Sequence, residues 1–309
     1  MRSVGFTGTW ATDHRDDLLR WSVVRSVCGE ADVEASPASM SRRLVEVPSS
    51  RVGVVVAGVA IGDGHPIRVI GGPCSVEGLE QFRETAVAVK AAGAVLLRGG
   101  AFKPRTSPYS FQGLGERGLE IMREVADELG MGIVTEAMSA EEVPLVCRYA
   151  DMVQIGARNM DNRSLLEAAA DSDCPVLLKR GLTATVDEVL AAAEFIVVRG
   201  NDRVVICERG SRTFEPSTRN SVDIAAVPEI KLRSDLPVIV DPSHGTGRRD
   251  LVAPVALAAI AAGADGVIVE VHPQPEAALS DGSQSLEATK FPAFMSRVRA
   301  MALAVGRSV

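Results

Sequence analysis

GIVTEAMSAEEVPLVCRYADMVQIG, residues 132–156, is the stretch on which the fold turns. Its ends, GIVTEA (132–137) and MVQIG (152–156), are short branched-apolar runs, the pattern of strands buried on both faces. Between them, Ala140–Tyr149 spaces its apolar residues as an amphipathic helix. Strand, helix and strand in direct succession make a parallel crossover unit. The pattern repeats in both directions. Further runs are IRVIGG (67–72), VLLRG (95–99), PVLLK (175–179), VVICE (204–208), PVIVD (237–241) and GVIVEV (266–271). Helical segments fall at Leu79–Ala92, Glu116–Leu129, Ser164–Ala170, Val186–Phe195, Leu251–Ala262 and Leu286–Ala304, and Gly93, Gly130 and Gly263 follow three of them as stops. Eight strands, each followed by a helix or a long loop, predict an α/β chain with a (β/α)8 barrel over residues 67–309. No GxGxxG opens a helix after the first strand, so a dinucleotide fold has no support.

Ahead of the barrel, residues 1–41 have mixed periodicity and read as a weakly ordered arm, with one helix around Asp16–Val27. Residues 42–66 alternate as a β-hairpin, with turn signals at Pro48-Ser49-Ser50 and Gly62-Asp63-Gly64. This hairpin is expected to close the barrel floor or to join an interface. The 309 residues are 46% hydrophobic and 24% charged, an ordinary globular composition. A net charge of −7 argues against nucleic acid as a partner. The apolar stretch Val52–Ile61 is too short to span a bilayer, and no secretory signal opens the chain, so no membrane partner is expected. Five cysteines without a CxxC pair do not form a disulfide framework and suit a reducing cytoplasm.

Residues just past barrel strand ends share one mouth. Arg98, Lys103, Arg105, Arg158, Lys179 and Arg209 would crowd there. So many cations repel one another unless anions fill the site, which fits two phosphorylated or carboxylated substrates better than one. The competing reading is that each cation is solvated or paired with a surface carboxylate. Glu136 ends the third strand; it is a general base, or a partner that orients a lysine, and sequence does not separate the two. Cys74, His244, Glu270 and Asp281 form a mixed hard–soft donor set that suits Mn²⁺, Fe²⁺, Co²⁺ or Zn²⁺ and fits Mg²⁺ or Ca²⁺ poorly. Against this, a lone cysteine after a strand is more often a buried apolar residue, and His272 competes as the imidazole. Asp241-Pro242-Ser243-His244-Gly245-Thr246-Gly247 reads either as a site loop or as a turn capped by Asp241.

The motifs GGPCSVE (71–77), LRGGAFKPRTSPYSFQG (97–113), QIGARNM (154–160), LLKRG (177–181), CERGSRTFE (207–215), DPSHGTG (241–247) and EVHPQPEAALSDGSQSL (270–286) resemble 3-deoxy-D-arabino-heptulosonate 7-phosphate (DAHP) synthase, type I β branch, over about residues 42–309. The resemblance implies a metal-dependent transferase. It would condense phosphoenolpyruvate with D-erythrose 4-phosphate, releasing phosphate, at the first committed step of the shikimate pathway. By motif, Cys74, His244, Glu270 and Asp281 resemble the metal ligands. Arg98, Lys103, Arg158, Lys179 and Arg209 resemble the phosphoenolpyruvate-binding groups, with His244 beside its phosphate. Lys103-Pro104-Arg105-Thr106 resembles the erythrose 4-phosphate loop, and either Lys103 or a metal-bound water would protonate the new alkoxide. The related 3-deoxy-D-manno-octulosonate 8-phosphate synthase typically carries an Asn-containing sequence where this chain has KPRTS, so Pro104-Arg105 favours the four-carbon aldose. A catalytically silent regulatory barrel would be expected to have lost a ligand or a cation, and every motif residue is present.

The family is usually oligomeric, so a homodimer or homotetramer is expected. Many relatives append a regulatory domain, and residues 1–41 are too short and irregular for one. Direct feedback inhibition by tyrosine or phenylalanine is therefore expected to be absent, with any regulation supplied by a partner protein. Half-maximal inhibition of purified protein by either amino acid at sub-millimolar concentration would contradict that expectation.

Overall fold

The protein is described by a computed structural model covering residues 53–103 and 109–309. The arm at 1–41, the start of the hairpin at 42–52, and Pro104, Arg105 and Thr106 lie outside the described residues. A two-stranded antiparallel hairpin comes first: β1 (Val54–Val56) and β2 (Val59–Ile61), with Val54 opposite Ile61. Its turn is Ala57-Gly58, both at positive φ, the tight turn whose twist matches paired strands. Of the two expected turns, Gly62-Asp63-Gly64 follows the hairpin instead of closing it.

Eight parallel strands follow: β3 (Arg68–Gly72), β4 (Leu96–Arg98), β5 (Gly132–Ala137), β6 (Met152–Ile155), β7 (Val176–Lys179), β8 (Val204–Glu208), β9 (Val238–Val240) and β10 (Gly266–His272). They pair in chain order, and β10 returns to β3 with Ile268 opposite Ile70. The sheet is therefore closed, as the eight apolar runs predict.

Helices cover the outside: α1 (Leu79–Ala92), α2 (Glu116–Leu129), α3 (Val143–Tyr149), α4 (Arg163–Ala170), α5 (Val186–Val198), α6 (Ala226–Arg233), α7 (Pro242–Thr246), α8 (Arg249–Ala261) and α9 (Phe291–Ala304). Gly93 and Gly130 end α1 and α2 in the left-handed conformation. Three segments differ from the sequence expectation. Leu286 opens a short strand, β11 (Leu286–Glu287), on the edge of β10, and the last helix begins only at Phe291, with Pro292 in its first turn. α6 lies where no helix is expected, because Pro228 and three charged residues, Glu229, Lys231 and Arg233, blur its short apolar stripe. The DPSHGTG loop contains α7, with the Asp241 side chain accepting from His244 N as its cap.

Strand side chains alternate between the inside and outside of the barrel. Ile70, Leu96, Val134, Met152, Leu177, Val205, Ile239 and Ile268, one from each strand, form a buried inner layer. Val54, Val56 and Ile61 pack into the same cluster, so the hairpin closes the floor. Two residues further along each strand comes the next inward layer: Gly72, Arg98, Glu136, Gln154, Lys179, Cys207, Asp241 and Glu270. The apolar layer thus forms the base on which a polar one stands. Truncating the wholly buried Ile61 to alanine should destabilise the barrel by about 2–5 kcal/mol. Chemical denaturation checks this, and an unchanged midpoint would show that the hairpin is not part of the core.

Candidate metal centre and anion site

Asp241, buried at the end of β9, organises the mouth. Its Oδ2 accepts from Lys179 Nζ at 2.5 Å and lies 2.8 Å from His244 Nδ1, while Oδ1 accepts from His244 N at 2.9 Å. Burial opposes its charge, but His244 and Lys179 outweigh burial and hold its carboxyl well below the usual range. With Nδ1 turned to a carboxylate, His244 presents Nε2 to the cavity; burial pushes this imidazole toward its neutral form, against the pull of Asp241. Asp241 is therefore both the cap and a site residue, and the two readings of DPSHGTG are the same interaction.

Around His244 Nε2 stand three more donors. Glu270 Oε1 is 3.2 Å away and Asp281 Oδ2 is 3.9 Å away; Cys74 Sγ is 3.1 Å from Asp281 Oδ2. One donor atom from each of Cys74, His244, Glu270 and Asp281 fits within 4.8 Å of the others. Glu270 Oε1 is buried yet accepts no hydrogen bond, although Arg98 Nη2 lies 3.4 Å from it. A buried carboxylate oxygen left without a hydrogen bond is costly unless a cation completes it. Burial first, then the charge of Glu270, push the Cys74 thiol up to about 12, so a cation bound there would have to displace its proton. The donor set therefore fits a divalent ion of the thiolate- and imidazole-binding kind. His272 is not part of it; its Nε2 lies 3.4 Å from Glu77 Oε2 and its Nδ1 accepts from Gln274 N.

An open cavity of about 230 Å³ adjoins this cluster. Arg98, Lys103, Arg158, Lys179 and Arg209 all line it. Arg98 and Arg209 are buried, yet Arg98 Nε and Nη1 and Arg209 Nη1 have no hydrogen-bond partner. Lys103 Nζ donates to Cys74 Sγ at 2.9 Å and to Cys74 O at 3.0 Å; burial works against its charge, but Cys74 and Glu270 outweigh burial and keep it protonated. Both arginines line the cavity, and guanidinium groups in a cavity wall are what a phosphate or carboxylate pairs with.

Glu136 lines the cavity, and its Oε2 accepts from Gln154 Nε2 at 2.8 Å, so its hydrogen-bond partner is an amide rather than a lysine. Gly156 makes room for it, since a Cβ there would lie 2.1 Å from Glu136 Oε1. Gln154, Arg212, Arg219 and Asn220 also line the cavity and were not expected. The inward phase of β6 would have found Gln154; the other three sit on a long loop without periodicity.

The sequence profile of the DAHP synthetase I family matches residues 37–305. Phospho-2-dehydro-3-deoxyheptonate aldolase of Thermotoga maritima is 55% identical over 251 residues, 81% of this chain and 74% of that protein. 2-Dehydro-3-deoxyphosphooctonate aldolase of Magnetococcus marinus is 32% identical over 266 residues, 80% of this chain and 92% of that protein. The crystal structure of the Thermotoga maritima aldolase, also called DAHP synthase, superposes with a TM-score of 0.80 at 53% identity, covering 83% of this chain and 76% of that one. A truncated form of the Thermotoga maritima enzyme gives 0.78 at 50% identity, covering 84% and 95%. With a family profile over most of its length and a relative more than half identical, the chain belongs to the DAHP synthetase I family.

Proposed function

We propose that this barrel condenses phosphoenolpyruvate with D-erythrose 4-phosphate and water to DAHP and inorganic phosphate. The observation that carries the reading is a four-donor metal cluster whose His244 and Asp281 line the same cavity as Arg98 and Arg209, buried arginines with guanidinium nitrogens that lack a hydrogen-bond partner. Arg98, Arg158, Lys179 and Arg209 bind the phosphate and carboxylate of phosphoenolpyruvate. Arg98 and Arg209 come from strand ends and are already desolvated, so little reorganisation is needed when the anion arrives. Lys179 is fixed by Asp241, which leaves its remaining donors for the ligand.

Cys74, His244, Glu270 and Asp281 hold the divalent ion, which when bound supplies Lewis-acid polarisation of the aldehyde. C3 of phosphoenolpyruvate attacks C1 of the aldose to form the new carbon–carbon bond. Lys103, protonated beside Cys74, gives its proton to the resulting alkoxide. Water adds at C2, with Glu136 as the base that Gln154 orients. The tetrahedral centre then expels phosphate into the Arg98–Arg209 cradle. Pro104, Arg105 and Thr106 bind the aldose phosphate. Mn²⁺, Co²⁺, Fe²⁺ and Zn²⁺ are the candidate ions, because a thiolate and an imidazole disfavour Mg²⁺ and Ca²⁺.

The higher identity to a heptonate aldolase than to an octonate aldolase and the Pro104-Arg105 pair support the four-carbon aldose. No described helix is long and apolar enough to cross a membrane. A reducing cytoplasm suits the metal-ligating thiol, and assembly as a homodimer or homotetramer is part of the same reading.

Phosphate release should require a divalent ion and erythrose 4-phosphate, stop on chelation, and return with Mn²⁺ or Co²⁺. Turnover with arabinose 5-phosphate instead would move the chain to the octonate branch, and no turnover with either sugar from metal-loaded protein would favour a regulatory barrel. Arg98→Ala should lower kcat/KM for phosphoenolpyruvate by about 10²–10³-fold with the fold intact; steady-state kinetics with circular dichroism checks this, and an unchanged kcat/KM would remove Arg98 from the site.

A further inference from the structure

The loop after β8 reaches a carboxylate of the candidate metal cluster through the side chain of Arg219. Arg219 Nη1 donates to Asp281 Oδ1 at 3.2 Å and to Gln284 Oε1 at 3.1 Å. Gln284, itself buried, donates from Nε2 to Glu270 Oε2 at 2.6 Å. Each carboxylate of the cluster is therefore held by one oxygen. The other oxygens, Asp281 Oδ2 and Glu270 Oε1, are the ones beside Cys74 Sγ and His244 Nε2. A chain of hydrogen bonds thus selects which oxygen of each carboxylate faces the remaining donors.

We propose that Arg219 and Gln284 are positioning residues that orient Glu270 and Asp281 for the divalent ion. They tie the metal affinity of the site to the seating of the loop at 211–222. The proposal rests on the metal-site reading above and adds to it residues that are not themselves ligands.

The loop is built to deliver Arg219 to this place. Arg219 N donates to Thr246 O and Asn220 N to Gly245 O, both at 2.9 Å, and Asn220 Nδ2 donates to His244 O at 3.1 Å. Two glycines of DPSHGTG make the contact possible. A Cβ on Gly247 would lie 2.5 Å from Arg219 Cβ, and one on Gly245 would lie 2.3 Å from Val222 Cγ2. Asp281 sits at φ 49°, a left-handed conformation that Asp tolerates, and the backbone beyond it is clamped, since a Cβ on Gly282 would meet Pro275 O at 2.0 Å. With both loops fixed, Arg219 spans between them.

As a stability element the Arg219–Asp281 pair matters little. Both side chains are partly exposed, and such pairs contribute about 0–1 kcal/mol. The consequence of removing Arg219 should therefore appear at the metal rather than in unfolding. Outer partners of metal ligands typically set affinity by about 10–100-fold.

The test is Mn²⁺ titration of chelator-stripped full-length protein, in competition with a fluorescent chelator, together with the electron paramagnetic resonance spectrum of bound Mn²⁺. Arg219→Ala and Gln284→Leu should each weaken Mn²⁺ binding by about 10–100-fold and change the zero-field splitting of the spectrum, with the metal-free melting temperature unchanged for Arg219→Ala. Arg219→Lys, which keeps a charged donor, should bind between parent and Arg219→Ala. The double variant should lose less than the two single losses combined, because both act through one relay. If the parent binds Mn²⁺ and both variants bind it with the same affinity and spectrum, the relay is overturned while the metal site stands. If the folded parent binds no Mn²⁺, the metal-site reading and the relay fall together.

Discussion

A carboxylate buried between a lysine and an imidazole is the interaction on which the mouth of this barrel depends. Asp241 has no exposure to solvent and is charged only because Lys179 and His244 stand against it. Removing one partner of such a pair leaves an uncompensated buried charge, which is far more costly than never burying it. Here the arrangement does two jobs at once. It immobilises Lys179 for the anion cavity, and it fixes the His244 ring so that Nε2 joins Cys74, Glu270 and Asp281. The candidate metal cluster and the cation-lined cavity therefore share one anchor, and neither is expected to keep its geometry if that anchor is lost.

The same mouth carries hydrogen-bonding capacity that the protein does not satisfy. Arg98 and Arg209 are buried with guanidinium nitrogens lacking partners, and Glu270 has a carboxylate oxygen in the same condition. Arg98 Nη2 lies 3.4 Å from Glu270 Oε1, yet buried atoms left without a hydrogen bond are not a stability device, since each carries a desolvation cost. In the proposed reading they are the positions that receive a cation and anions. The apolar layer beneath, sealed by Val54, Val56 and Ile61, keeps water from the floor and gives the polar layer its rigidity. Preorganised charge on such a base is where electrostatic stabilisation of a transition state is strongest.

Most of this was legible in the sequence because strand geometry is simple. Side chains alternate with a period of two, so an apolar inner residue such as Leu96, Leu177 or Ile268 places Arg98, Lys179 or Glu270 inward at the next step. The eight strand windows and the four metal donors came from that regularity and from the motif resemblance. Gln154 obeys the same rule and was passed over because a neutral amide gives no charge signal. Arg219 and Gln284 were illegible for a different reason. They meet across 65 positions of chain through loops without periodicity, and only the three-dimensional path of those loops joins them. The hairpin turn at Ala57-Gly58 was hidden because an alanine at positive φ carries no turn signature, while Gly62-Asp63-Gly64 does. The exclusion of His272 likewise needed coordinates, since two residues past Glu270 it is an equally good ligand on paper.

The central claim is that one divalent ion and one phosphoenolpyruvate share this mouth. Anomalous diffraction at the manganese edge, from crystals grown with Mn²⁺ and phosphoenolpyruvate, tests it most directly. The account predicts a single strong peak bonded to Cys74 Sγ, His244 Nε2 and the Glu270 and Asp281 carboxylates. The phosphate and carboxylate of phosphoenolpyruvate should lie on Arg98, Arg158, Lys179 and Arg209. A peak away from those four donors, or phosphoenolpyruvate bound without contact to those cations, would contradict it.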